Sequence, residues 1–239
     1  MHYDQIRQGR FLARPNRFVA QVALEEGTVI CHVKNTGRCR ELLYPGVPVW
    51  VQLAPSPTRK TRWDLVAVQK GERIVNIDSQ APNRVAAHWL KAGGLGFVPT
   101  LLRPETRHGN SRFDFYLEAP GRRMFVEVKG VTLEEAGTAY FPDAPTLRGL
   151  KHLRELEDCV RQGFEACALF VVQLEGIRAF RPNMATQPEF GEALRRAAAL
   201  GVRLEARSCR VSPDTLEIAD PVPVELPPFE DETWKEGLK

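Results

Sequence analysis

Glu127 and Lys129, in the stretch Phe125-Val126-Glu127-Val128-Lys129-Gly130, place opposite charges two residues apart inside what otherwise reads as a buried strand. Side chains alternate across a strand, so both project from one face, with Cα atoms about 6.6 Å apart, while Val126 and Val128 face the core. Upstream, the segment 112–118 alternates in the same way. Phe113, Phe115 and Leu117 form its apolar side and leave Arg112, Asp114 and Tyr116 on the other. If the two strands pair through the intervening Ala-Pro-Gly turn, Asp114 meets Glu127. Two carboxylates held close repel, and one pKa rises unless a cation lies between them. Magnesium relieves that repulsion, because it takes hard oxygen ligands, often one or two carboxylates completed by water and phosphate oxygens. The pattern therefore points to a Mg²⁺ or Mn²⁺ site made from Asp114, Glu127 and the carbonyl oxygen of Val128. Such an ion polarises a phosphodiester and lowers the pKa of a bound water. Lys129 would orient that water and offset charge developing on the phosphate, with Glu105 as a further ligand or water-binding group. Taken singly, each residue also has a structural reading, an E-x-K pair being a common cross-strand salt bridge.

The elements that must position these groups fall into two parts. Residues 1–80 read as short strands between turns, at 18–24, 28–32, 47–53, 63–70 and 73–78, without a helical period. Five short strands suggest a small closed barrel such as an OB-fold, with an SH3-like barrel as the alternative. After Ala81-Pro82 the pattern changes. Asn83 is expected to cap a helix whose apolar face is Val85, Ala86, Trp89 and Leu90, ended by Gly93-Gly94. Strands are expected at 97–103, 112–118 and 124–131. A helix then runs from Leu147 to Gln162 with Leu147, Leu150, Leu153, Leu156 and Val160 inward, followed by a doubly covered strand at 168–174. A helix from Pro188 to Leu200 and strands at 202–207 and 215–219 complete the order. The segment 130–149 shows no clear period and reads as a site-serving loop, with Thr146 capping the following helix and Asp143 ordering the loop. The expected division is 1–81 for the barrel, 82–226 for the second domain and 227–239 for a flexible acidic tail.

Charge and composition narrow the function classes. Of 239 residues, 33 are basic and 30 acidic, but residues 1–80 hold 12 basic against 7 acidic side chains. The basic excess thus belongs to the barrel, as suits a phosphate-backbone partner. Arg38 and Arg40 form one basic group, and Arg59, Lys60 and Arg62 another, in a loop between strands where such barrels touch nucleic acid. Trp50, Trp63, Phe11 and Phe18 offer stacking surfaces or, more simply, barrel core. In the second domain Arg112 flanks Asp114, and Arg148, Lys151 and His152 crowd a helix start, where cations oppose the dipole and an external phosphate would compensate. His152 also reads as a general acid or base, or as a hydrogen-bonded structural histidine. The five cysteines show no paired spacing and read as reduced thiols. No apolar run is long enough for a membrane span and no signal segment opens the chain, so a cytoplasmic protein is expected.

The segments NTGRCREL, HGNSRFDFYL, FVEVKGVTL and AYFPDAPTLRGLKHLREL together resemble the sugar fermentation stimulation protein family (SfsA), over about Gly9 to Leu226. The resemblance implies a two-domain α+β protein: an N-terminal all-β OB-fold-like barrel followed by an α/β restriction-endonuclease-like domain of the PD-(D/E)XK type, with a mixed sheet flanked by helices. It also implies DNA binding and a regulatory role in sugar metabolism. Carried over position by position, the nuclease pattern falls on Asp114, Glu127 and Lys129, with Glu105 as a further member; the usual PD pair reads Phe113-Asp114 here. Fold does not decide function. Three readings stand open: a metal-dependent nuclease, endo- or exonucleolytic, on double- or single-stranded DNA; a non-catalytic, largely sequence-nonspecific DNA-binding regulator; and an RNA-binding module.

Overall fold

The computed structural model describes residues 1–226 except Thr36, Arg38, 55–58 and Lys60. Six strands come first: β1 (Ile6–Asn16), β2 (Val19–Leu24), β3 (Gly27–Val33), β4 (Pro48–Leu53), β5 (Trp63–Lys70) and β6 (Arg73–Asn76). β1 pairs antiparallel with both β2 and β4. β3 then closes onto β5 in parallel, Cys31↔Trp63 through Val33↔Leu65, which makes β1–β5 the five-stranded barrel of an OB domain. Alternation fills it: Val22, Val49, Val51, Leu65 and Val68 are fully buried. β1 is absent from the strands read in the sequence, and its composition explains why. IRQGRFLARPN carries three arginines and a proline, and Phe11 alone of its side chains is buried.

The second part begins with α1 (Ala81–Lys91), β7 (Leu101–His108), β8 (Ser111–Ala119) and β9 (Arg122–Val131). It continues through β10 (Leu133–Glu135), β11 (Thr138–Phe141), α2 (Leu147–Arg161), β12 (Glu165–Val172) and β13 (Ala179–Pro182). It ends with α3 (Pro188–Ala199), β14 (Arg203–Val211) and β15 (Leu216–Pro221). A mixed sheet in the order β15-β14-β12-β9-β8-β7 carries the domain. β9, β12 and β14 run parallel, joined by α2 and α3, while β7–β8–β9 and β14–β15 are antiparallel. α1 covers one face with Val85, Ala86 and Leu90 against Phe115, Val126, Val128 and Leu169. α2 and α3 cover the other with Leu153, Leu156 and Leu194 against Phe125 and Phe170. β12 is buried on both faces, as its uninterrupted apolar run requires.

Three local expectations are corrected. The segment 130–149 is not a structureless loop: β10 and β11 form a hairpin, and β11 pairs in parallel with β13. Strands of three and four residues are too short to show a period. Leu147 points outward, 84% exposed, as the first residue of α2, ahead of the turn that packs on the sheet. Asn83 lies inside α1, whose N-cap is Gln80 with Pro in the first turn. Thr146 does cap α2, accepting the Gly149 N–H at 2.9 Å.

Buried polar contacts join the two parts. Gln173, after β12, donates to Asn76 Oδ1 and to the Asp78 carbonyl, while Asn76 donates to the Tyr3 hydroxyl. Asp78 has no exposed surface and is neutralised by Lys34 at 2.9 Å. A second clasp forms where Lys70 and Arg73 of the barrel reach Glu134 of the β10–β11 hairpin at 2.6 and 2.9 Å. All five cysteines are free and buried, and burial pushes each thiol up to about 12. Among the described residues no helix is long and apolar enough to cross a membrane.

Burial pushes the Glu134 carboxyl up, but Lys70, the Gly137 N–H and Arg73 outweigh it, so the group sits below the ordinary carboxylate range. Its stabilisation is therefore present above the usual carboxylate pKa and is lost as pH falls through the depressed folded value. Glu134→Ala, which leaves two cations without their partner, should cost about 2 kcal/mol at neutral pH. Glu134→Gln should flatten the acid side of a stability-versus-pH curve, both read from thermal unfolding.

Candidate active site

The site is built where β8 leaves β9. Their pairing runs from Ala119↔Arg122 to Phe115↔Val126 and stops. One residue further, Asp114 replaces the ladder with its side chain: Oδ2 accepts the Val128 N–H and Oδ1 accepts Asn83 Nδ2 of α1, both at 2.7 Å. This parting also breaks the alternation read from the sequence. Phe115 and Leu117 pack with Val85 and Leu90 of α1, whereas Phe113 lies with Phe125 on the α2 side, ring centroids 5.0 Å apart. The three do not share a face, because the carboxylate takes a backbone donor and turns the strand.

Glu127 stands at the centre of β9 and is buried. Its Oε1 accepts from Lys129 Nζ at 2.6 Å and from His152 Nδ1 of α2. Arg148, one turn earlier on α2, donates from Nε to His152 Nε2 at 3.3 Å. Lys129 Nζ lies 3.1 Å from the same His152 Nδ1, so carboxylate, ammonium and imidazole form one cluster. Glu127 Oε2 is buried and has no hydrogen-bond partner among the described residues. The two acids are driven apart electrostatically. Burial, followed by the Glu127 charge, raises the Asp114 carboxyl, and the N–H groups of Val128 and Asn83 only partly oppose this. Burial also pushes Glu127 up, but His152 and Lys129 overcome it and hold that carboxyl below its ordinary range. Glu127 is thereby the anion of the pair, and Asp114 the more readily protonated member.

Other expected site residues are placed differently. Glu105 lies in β7 between the pairs Pro104↔Phe115 and Thr106↔Phe113, opposite Asp114 in register. Its backbone is left-handed (φ 50°), however, and its largely exposed carboxylate meets Arg112 at 3.5 Å rather than the Glu127 cluster. Arg112 is exposed beside Asp114, and Lys151 is exposed on α2, 3.5 Å from Glu155. In the barrel, Arg59 is not a free phosphate contact. It grips the buried Asp64 through both nitrogens at 2.8 and 3.1 Å, because that carboxylate needs neutralising. Arg40 and Arg62 are exposed; Arg38 and Lys60 lie outside the described residues. Phe11 and Trp50 are core and Trp63 packs against it, whereas Phe18 is exposed beneath the Arg17 guanidinium. Sequence reasoning missed Asn83, because an asparagine in the first turn of a helix reads as a cap and only the fold shows that it faces Asp114.

Among the described residues no three His, Cys, Asp or Glu side chains converge in a metal-binding group. What is present is a carboxylate pair, with the unpartnered Glu127 Oε2 and with Asp114 oxygens that each accept one bond. That donor set fits a hard ion completed by water and phosphate oxygens, and does not fit a closed protein cage. In Glu127→Gln the Asp114 carboxyl should titrate at lower pH than in the parent, since the like charge that raises it is gone; carboxyl-carbon NMR titration reads this directly.

Two family models match the chain: the SfsA N-terminal OB domain over residues 12–77 and the sugar fermentation stimulation protein RE domain over residues 80–215. Among curated relatives, a sugar fermentation stimulation protein homolog of Desulfitobacterium hafniense is 53% identical over 226 residues, covering 95% of this chain and 99% of the relative. One of Clostridium beijerinckii is 48% identical, covering 95% and 100%. Among solved structures, Pyrococcus furiosus SfsA in complex with Ca²⁺ aligns with a TM-score of 0.85 at 28% identity, covering 95% of this chain and 98% of that one.

Proposed function

The chain belongs to the sugar fermentation stimulation protein family, and from that premise we propose that it binds nucleic acid and cuts phosphodiester bonds with a divalent ion held by Asp114 and Glu127. The observation that carries this reading is the buried Glu127 Oε2, which has no partner among the described residues and lies in a carboxylate pair where a buried acceptor otherwise costs free energy. A relative of the same fold has been solved with Ca²⁺, which is likewise a hard, oxygen-seeking ion. When bound, Mg²⁺ or Mn²⁺ would polarise the phosphate and supply a more acidic water. Asn83 and the Val128 N–H keep Asp114 in place, His152 keeps Glu127 ionised, and the Lys129 ammonium lies where negative charge on the phosphate would be offset. The β7–β8 hairpin exposes Arg103, Arg107 and Arg112 beside Asp114, a surface suited to a phosphate backbone.

A second reading is binding to DNA or RNA without hydrolysis. It is favoured by the ion pair in which Lys129 and His152 already compensate Glu127. Purified protein incubated with single- and double-stranded DNA and RNA, in Mg²⁺, Mn²⁺ or EDTA, separates the two. Metal-dependent cutting is expected, lost in Glu127→Ala and reduced about 10²- to 10³-fold in Lys129→Ala, with binding retained in both. Binding without cutting on every substrate selects the second reading. Replacing Arg103, Arg107 and Arg112 by alanine should weaken binding on all sequences and flatten its salt dependence by up to about three charges. Unchanged affinity would remove the hairpin from the interface.

A further inference from the structure

A cavity of about 160 Å³ opens where the barrel meets the C-terminal end of β9. Its wall begins at Gly130, directly after Lys129, and continues through Thr132, Tyr140 and Asp143, with Asn35 and Gly37 on the barrel side. What distinguishes it is the balance of donors and acceptors. The Asn35 amide nitrogen is already committed to the Ile77 carbonyl, and its Oδ1 takes only the Gly37 N–H. Gln173 likewise commits its nitrogen to Asn76 and Asp78, and its Oε1, which bonds no described residue, is turned toward Gly130. Asp143 makes no hydrogen bond or ion pair with any described residue. Its Oδ2 and Asn35 Oδ1 both lie within 3 Å of the point where a Cβ on Gly37 would stand. No lysine, arginine or histidine is among the described lining residues. The amide donors of Asn35 and Gln173 are used while their oxygens and the Asp143 carboxylate face the cavity, which suits an occupant that brings N–H groups.

We propose that this cavity is a base pocket, which receives an unpaired guanine of bound nucleic acid with the base's N1–H and N2–H on the Asp143 carboxylate. The proposal rests on the nucleic-acid reading above and adds which base lies next to the site. A carboxylate is an acceptor with two parallel oxygens. Guanine alone among the four bases presents two adjacent N–H donors on its pairing edge, whereas adenine and cytosine each offer one amino group beside an acceptor. Tyr140 supplies a ring against which a base can stack. A Cβ at position 130 would come within 2.7 Å of Gln173 Oε1 and Pro82 Cγ, so glycine there lets Gln173 bring that oxygen against the strand that carries Lys129. An enzyme acting at a phosphate beside this wall would read the base only when it is out of the helical stack.

The test uses the full chain in EDTA, with labelled oligothymidylates of about 12 nucleotides carrying one central guanine, hypoxanthine, adenine or cytosine, read by fluorescence anisotropy. The guanine strand should bind about tenfold tighter than plain oligothymidylate. Hypoxanthine, which lacks the 2-amino group, should fall between, and adenine and cytosine should gain little. Asp143→Asn should erase the guanine preference while leaving oligothymidylate affinity and thermal unfolding unchanged. Thr132→Ala, a milder change in the same wall, should keep the order of preference. Equal binding of all strands, or a guanine preference that survives Asp143→Asn, overturns the base pocket and leaves the nucleic-acid reading intact. Failure to bind any strand overturns the base pocket, and the nucleic-acid reading falls with it when duplex DNA and RNA in Mg²⁺ also fail to bind.

Discussion

The hydrogen bond from the Val128 N–H to the Asp114 carboxylate is the constraint on which the site depends. In an ordinary antiparallel pair that donor would go to a backbone carbonyl, and β8 would continue along β9 with its side chains alternating. Here the side chain takes the donor. The strands part after Phe115↔Val126, Phe113 swings to the opposite face, and Asp114 is pinned between β9 and Asn83. A buried N–H cannot be left unpaired without a cost of about 1–3 kcal/mol, so the carboxylate is structural as well as chemically placed. Its neighbour Glu127 is held from the other side of the sheet by α2. The two acids are thus reached by separate helices and have opposite electrostatic settings.

Burial of charge follows the same logic within the barrel and where it meets the second part. Asp64, Asp78 and Glu134 are all buried, and each is met by a cation from the barrel: Arg59, Lys34, and Lys70 with Arg73. Unpaired carboxylates there would be strongly destabilising. The same arrangement uses up the arginine that looked most available to a phosphate backbone, Arg59. It also fixes the barrel against the end of β9, so that a polar cavity rather than open solvent lies beyond Lys129.

The parts legible in the sequence were those with local periodicity or local chemistry. β8, β9, α2, α3 and most barrel strands follow from alternation and amphipathic spacing, and Thr146 from capping chemistry. The parts that were not legible depend on partners distant in the chain. β1 reads as a polar segment because its outer face is solvated. β10, β11 and β13 are too short to show a period and are strands only because they pair with one another. Leu147 matches the helical spacing but, as the first residue of α2, stays exposed. Glu105 has a suitable residue type, yet its left-handed backbone and its pairing with Arg112 keep it in solvent.

By itself the sequence determined the residue types at the site and their order along two strands, together with a barrel-then-mixed-sheet architecture, because side-chain alternation and turn chemistry act over a few residues. Only the tertiary structure decided which face each acid occupies, that Asn83 and His152 are their partners, and which arginines are already spent. The acids' partners lie 14 to 31 positions away in the chain, a range at which local pattern carries no information, and Arg59, only five positions from Asp64, is spent because the fold buries that carboxylate.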